Sequence, residues 1–152
     1  GSHCLIMAYC HIAHDCIVGD HVIISNNLAM AGHVEVGNHV TIGGVVPIHQ
    51  FTRIGDYAFI GAKTYCNMDI VPFSLAAGEP PRIRGLNRIG LQRRGFDTQR
   101  LQTLKTAYSI LFRKKLSLSD AIAQLESAYG DNDDVQTIVR FARTSERGLM
   151  RM

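Results

Sequence analysis

Seven histidines stand in this 152-residue chain, and four of them carry spacings that suggest chemistry. His11 and His14 lie close together, and an acidic side chain follows directly as Asp15. Eighteen residues beyond His14 comes Gly32, followed by His33; eighteen beyond Gly32 comes Gln50, preceded by His49. An imidazole beside a carboxylate has its tautomer set and its charged form stabilised, so His14 with Asp15 suits removal of a proton from a hydroxyl. A glycine has no side chain to block its backbone N–H, so Gly32 suits stabilisation of an oxyanion. Base and oxyanion donor together fit direct transfer of an acyl group from a thioester to an alcohol. The bland alternative is a set of surface histidines at permissive turns.

Those spacings matter only if the chain folds back every eighteen residues, and a six-residue period indicates that it does. Ile6, Ile12, Val18, Ile24, Met30, Val36, Ile42, Ile48, Ile54, Ile60 and Cys66 recur in unbroken register, and none is charged. Two residues before each sits a second restricted position, from Cys10 and Cys16 through Val22 and Val34 to Ala58 and Thr64. This is neither the period of a strand nor that of a helix. Hexads of this kind wind into a β-solenoid, a parallel β-helix in which three flat faces make one coil of a triangular prism. Aliphatic side chains fill the prism, and Gly, as in Val18-Gly19, Ile42-Gly43 and Ile60-Gly61, or a polar residue is expected to permit the turn at each corner. Stacked coils lie about 4.8 Å apart, so His14, Gly32-His33 and His49-Gln50 form one column. His21 and His39, also eighteen apart, read as solvated corner residues.

The repeat is expected to occupy 1–71, and the phase of Gly1-Ser2 fits a preceding hexad, as if earlier coils belong before it. Residues 72–95 read as a connector rich in Pro, Gly and Arg, with a short helix near Leu86–Gln92. Its Arg82, Arg84, Arg88, Arg93 and Arg94 form either a solvated linker or a contact for phosphate or an acidic protein. Residues 96–152 read as a helical domain of three helices, capped by Asp97 or Thr98, by Ser117 or Ser119, and by Asp133 or Asp134.

Bulk properties narrow the classes. A net charge of +3 without a concentrated basic face argues against nucleic acid as partner. No apolar run is long enough to span a membrane. The four cysteines form no CxxC pair and read as reduced thiols of a cytoplasmic protein.

Several strings together are specific. His11-Ile12-Ala13-His14-Asp15-Cys16, Leu28-Ala29-Met30-Ala31-Gly32-His33-Val34, Ile48-His49-Gln50-Phe51, Gly85-Leu86 and Arg93-Arg94-Gly95-Phe96 closely resemble the UDP-N-acetylglucosamine O-acyltransferase family that begins lipid A synthesis. The resemblance runs from Gly1 to Arg147-Gly148-Leu149 and covers only the C-terminal part of the family's usual length. It implies a left-handed parallel β-helix followed by a small α-helical domain, assembled as a homotrimer with active sites between chains. The donor would be a 3-hydroxyacyl thioester of acyl carrier protein, the acceptor the sugar 3-hydroxyl of UDP-N-acetylglucosamine, with no further cofactor and no metal.

In that likeness His14 matches the general base, Asp15 its partner and Gly32 the oxyanion donor. His11, His33, His49 and Gln50 match substrate-contacting positions; Asn87, Arg93 and Arg94 match positions that meet the nucleotide, its phosphates or the carrier protein. Phe59 and Ala62 match the acyl-chain groove, where Ala62 replaces the Gly of several members and implies a shorter acyl chain; Phe59 and Pro80 also depart from the best-known members.

Three other readings compete. One is the sister N-acyltransferase that acylates the sugar amine. Another is a zinc enzyme on the same coil, with His11 and His14 beginning the ligand set. The last is a trimeric scaffold without turnover.

Overall fold

The computed structural model describes residues 1–152. Ten two-residue strands come first: β1 Leu5–Ile6, β2 His11–Ile12, β3 Ile17–Val18, β4 Ile23–Ile24, β5 Ala29–Met30, β6 Glu35–Val36, β7 Thr41–Ile42, β8 Pro47–Ile48, β9 Arg53–Ile54 and β10 Phe59–Ile60. They stack as three parallel sheets, β1-β4-β7-β10, β2-β5-β8 and β3-β6-β9, which are the three faces of a triangular prism. Partners such as Leu5 and Ile23, His11 and Ala29, or Ile17 and Glu35 lie eighteen residues apart, as the hexad period requires. Val22, Ile24, Leu28, Met30, Val34, Val36, Val40 and Ile42 are buried, so both restricted positions of the hexad fill the prism. Ile6 and Ile12, in the first coil, are exposed.

At the corners of the prism glycine is not the residue that turns the chain. The left-handed conformation at each corner belongs to non-glycine residues at six-residue intervals, among them Asp15 (φ 57°), His33 (φ 59°), His39 (φ 59°) and Phe51 (φ 61°). Glycine serves close approach instead. A Cβ on Gly43 would lie 2.6 Å from the Ala62 backbone N, and one on Gly19 would lie 2.8 Å from the Gly37 carbonyl carbon. Successive coils therefore touch backbone to backbone beside the corner, which tolerates no side chain.

Two inward hydroxyls lack partners. Thr52 and Thr64 are buried, and neither Oγ1 makes a hydrogen bond. Valine matches threonine in shape without the desolvated hydroxyl. Thr52→Val is expected to stabilise the prism by about 1 kcal/mol, seen as a higher denaturant midpoint at unchanged slope. A lower midpoint would show that the hydroxyl has a favourable role. Cys66 is buried in the same lumen, and burial pushes its thiol up to about 12, so it is inert at neutral pH.

Residues 72–95 are more ordered than a connector. β11 (Ser74–Ala77) adds in parallel to β10, and β12 (Arg82–Leu86) pairs antiparallel with β11, extending one face of the prism. The step from Phe59 to Leu75 is sixteen residues instead of eighteen, which hides this strand from the hexad count. The short helix α1 runs Arg88–Arg93 with Asn87 as N-cap. Three longer helices follow: α2 Thr98–Phe112, α3 Leu118–Tyr129 and α4 Asp133–Arg143. Asp97 and Ser117 cap α2 and α3 as expected. The α4 cap is Asn132, whose side chain accepts from Val135 N–H, while Asp133 and Asp134 lie in the first turn. There their charge complements the helix dipole.

The helical domain is tied to the prism by buried polar contacts. Tyr108 Oη donates to the Pro72 carbonyl at 2.5 Å. Asp69, fully buried, accepts from Ser145 Oγ at 2.7 Å and from Arg53 N–H at 2.9 Å. Leu101, Leu104, Ile122, Leu125, Val135, Ile138 and Val139 share one continuous core with the prism residues.

Candidate active site

The column expected from the eighteen-residue spacing is present. His14 lies directly over Gly32: a Cβ built on Gly32 would be 2.8 Å from His14 Cε1 and 2.9 Å from Nε2. The backbones are in register, since His33 N–H donates to the His14 carbonyl at 3.1 Å. The Gly32 N–H makes no hydrogen bond within the chain.

Asp15 owes its placement to the corner. Its left-handed backbone, which Asp tolerates better than most residues, turns its carboxylate back beside the preceding ring. His14 Nδ1 stands 2.8 Å from Asp15 Oδ2. A carboxylate can only accept, so the proton sits on Nδ1 and the Nε2 lone pair is free. That lone pair is on the side facing Gly32. The hydrogen bond from His14, and next the nearby His33 charge, hold the Asp15 carboxyl below its usual value, so it is ionised at neutral pH.

His33 Nε2 is 3.8 Å from Asp15 Oδ2, and its ring meets the His14 ring edge-on at 5.1 Å between centroids. Its other face stacks on Phe51 at 4.8 Å, which fixes its plane. His49 and Gln50 occupy the next rung, with His49 Nδ1 3.0 Å from the Gln50 carbonyl. His11 is exposed on β2, the strand that leads into the His14 corner. The metal reading takes a different form from that expected: the groups whose ligand atoms lie within 4.8 Å of one another are His14, Asp15 and His33, without His11.

The remaining candidates lie elsewhere on this chain. Ala62 is exposed at the corner preceding the His11 face, and Phe59 is half-buried on β10. Asn87, Arg93 and Arg94 belong to α1 and its caps, packed against the third corner. Asn87 Nδ2 donates to the Tyr57 carbonyl at 3.0 Å, and Arg94 Nη1 lies 2.8 Å from His39 Nδ1. Arg93 is exposed and pairs with no carboxylate.

His21 and His39 are not simply solvated corners. His3, His21, His39, Tyr57 and Phe73 form a ladder of stacked rings with centroids 5.0, 4.8, 4.7 and 5.6 Å apart. His39 is half-buried and meets Arg94. The eighteen-residue spacing of His3, His21, His39 and Tyr57 was the available signal for it.

Comparison with known proteins identifies the family. A family profile described as Udp N-acetylglucosamine O-acyltransferase, Domain 2, matches residues 69–150, more than half of the chain. The chain belongs to the UDP-N-acetylglucosamine O-acyltransferase family. The bacterial transferase hexapeptide profile also matches residues 1–32.

Among curated members of the O-acyltransferase family, the acyl-[acyl-carrier-protein]--UDP-N-acetylglucosamine O-acyltransferase of Anaeromyxobacter sp. is 46% identical over 99% of this chain and 59% of its own length. That of Myxococcus xanthus is 46% identical over 99% of this chain and 58% of its own length. The UDP-N-acetylglucosamine acyltransferase structure from Campylobacter jejuni superposes with a TM-score of 0.93 at 39% identity, covering 100% of this chain and 59% of that one. The Francisella novicida enzyme gives 0.94 at 31% identity, covering 100% and 56%. The chain thus spans under two-thirds of the length of the O-acyltransferases it matches. No helix is long and apolar enough to cross a membrane.

Proposed function

We propose that this chain carries the catalytic column of an acyl-carrier-protein-dependent UDP-N-acetylglucosamine O-acyltransferase, the first step of lipid A biosynthesis. The observation that carries the reading is His14, oriented by Asp15, with its Nε2 beside Gly32, whose N–H makes no hydrogen bond within the chain.

His14 Nε2 removes the proton of the sugar 3-hydroxyl as that oxygen bonds to the thioester carbonyl carbon. The carbonyl oxygen gains negative charge, and the Gly32 N–H stabilises it. Asp15 stabilises the imidazolium through Nδ1. Collapse breaks the carbon–sulfur bond, and His14 returns its proton to the departing carrier thiol. His11, His33, His49 and Gln50 contact the substrates along the column. The reaction balances without metal or redox cofactor, and none is invoked.

A homotrimer in the cytoplasm completes the site. On one chain the His14 column and the Arg94 corner are different edges of the prism, and on this reading a nucleotide held by Asn87, Arg93 and Arg94 meets His14 of a neighbouring chain. A neighbouring chain brings the two edges together.

The test is to incubate the full-length protein with a 3-hydroxyacyl carrier protein and UDP-N-acetylglucosamine and to identify the product by mass spectrometry. A 3-O-acylated sugar nucleotide is expected. Acylation only of an amino sugar, or no product, overturns the reading. Ala62→Gly is expected to shift preference toward a longer acyl donor, because it removes a methyl from the groove floor. An unchanged ranking of donor lengths would remove Ala62 from that role.

A further inference from the structure

We propose that His39 is a positioning residue for the sugar nucleotide, holding the Arg94 guanidinium at the edge of the prism while leaving its charge intact. The proposal rests on the reading that Arg94 meets the nucleotide's phosphates.

Arg94 follows α1 as its C-cap, is exposed, and takes part in none of the chain's ion pairs. Its side-chain polar contact is with His39 Nδ1, at 2.8 Å. A guanidinium has only donors, so Nδ1 must be the accepting lone pair and the His39 proton must sit on Nε2. A free arginine gives up rotamer entropy when it is fixed on a phosphate. A neutral acceptor supplies the orientation beforehand. A carboxylate in the same place would orient the arginine too, but would also neutralise it and compete with the phosphate.

The ladder makes the acceptor rigid. The His39 ring is held between His21, at 4.8 Å and 4° between planes, and Tyr57, at 4.7 Å and 18°. The other end of α1 is anchored on the same column, through Asn87 Nδ2 to the Tyr57 carbonyl. Both ends of the helix that presents the nucleotide contacts are thus referenced to one stack of rings.

The arrangement works only with a neutral ring. Arg94, His21, Tyr57, Asp56 and Asp20 are the titratable groups that face or influence His39. Burial first, then the Arg94 charge and His21, lower its imidazole below the ordinary 6.5, against the opposing pull of Asp56 and Asp20. His39 is therefore neutral at physiological pH. Acidification through its lowered value removes the lone pair and sets a second positive charge against Arg94.

The experiment measures KM for UDP-N-acetylglucosamine and kcat with the full-length protein from about pH 8 down to about pH 5.5, the range in which imidazoles titrate. His39→Phe keeps a ring in the stack and loses the acceptor. It is expected to raise KM by about 2- to 10-fold at neutral pH, the equivalent of one hydrogen bond, with kcat at saturation largely kept. The acid-side rise in KM due to His39 should then disappear. His39→Gln, which restores an accepting oxygen, should recover part of the affinity.

Two outcomes separate the proposal from the reading beneath it. If Arg94→Ala raises KM and His39→Phe does not, the positioning role is overturned while the Arg94 reading stands. If Arg94→Ala leaves KM unaltered, the phosphate contact itself fails and the proposal falls with it. Nitrogen-15 spectra of the histidines give a readout independent of turnover: a His39 proton on Nδ1 overturns the proposal directly.

Discussion

Replacing His14 with alanine in the full-length protein is expected to lower kcat/KM by about 10²- to 10⁴-fold, the contribution of a positioned general base. The loss should appear in kcat, because the proton is taken only as the carbon–oxygen bond forms. The fold should not notice. The His14 side chain is 73% exposed, and its polar contact is with Asp15, itself 66% exposed. Unfolding free energies should agree within about 0.5 kcal/mol, as for other surface changes. Product formation near the parent's rate would remove His14 from the role of base and leave the column without its chemistry.

Gly32→Ala should be nearly as damaging for a different reason. The added methyl would stand 2.8 Å from His14 Cε1 and 2.9 Å from Nε2. Both atoms belong to the far end of a mobile side chain, so the imidazole swings away and the coil survives. The same methyl crowds the N–H that stabilises the oxyanion. Losing one such donor costs about 10²- to 10³-fold in kcat, and the displaced base adds to that. Gly43→Ala is the informative contrast: its methyl would meet the Ala62 backbone N at 2.6 Å, where nothing can swing aside. Stability should fall for Gly43→Ala and activity for Gly32→Ala. An active Gly32→Ala protein with His14 undisplaced would defeat the oxyanion assignment.

The prism and its column were legible because a constant period carries three-dimensional information. Ile24, Ile42 and Ile60 are buried in successive rungs, and His14 does lie over Gly32. What escaped sequence reading falls where the period fails or a contact is remote. β11 enters the sheet after a sixteen-residue step, so Ser74–Ala77 sits out of phase with the hexads. The corners read as glycine or a polar residue on conformational grounds; Asp15, His33 and Phe51 take the left-handed bend, and glycine is reserved for backbone contact. The meeting of Arg94 with His39, across 55 residues, depends on how α1 docks, and no local pattern encodes that. The separation of Arg94 from His14 on different edges needed the coordinates as well.

The eighteen-residue register has an evolutionary corollary. Excising residues 25–42 would join Ile24 to Gly43 and leave every later rung in phase on its original face. The shortened solenoid could still close its sheets, yet Gln50 would then lie beneath His14 where Gly32 had been. Length in this architecture can change by whole turns with little penalty, while the reacting pair is bound to one particular turn, so gene-level duplication or loss of a rung separates folding from turnover in a single step.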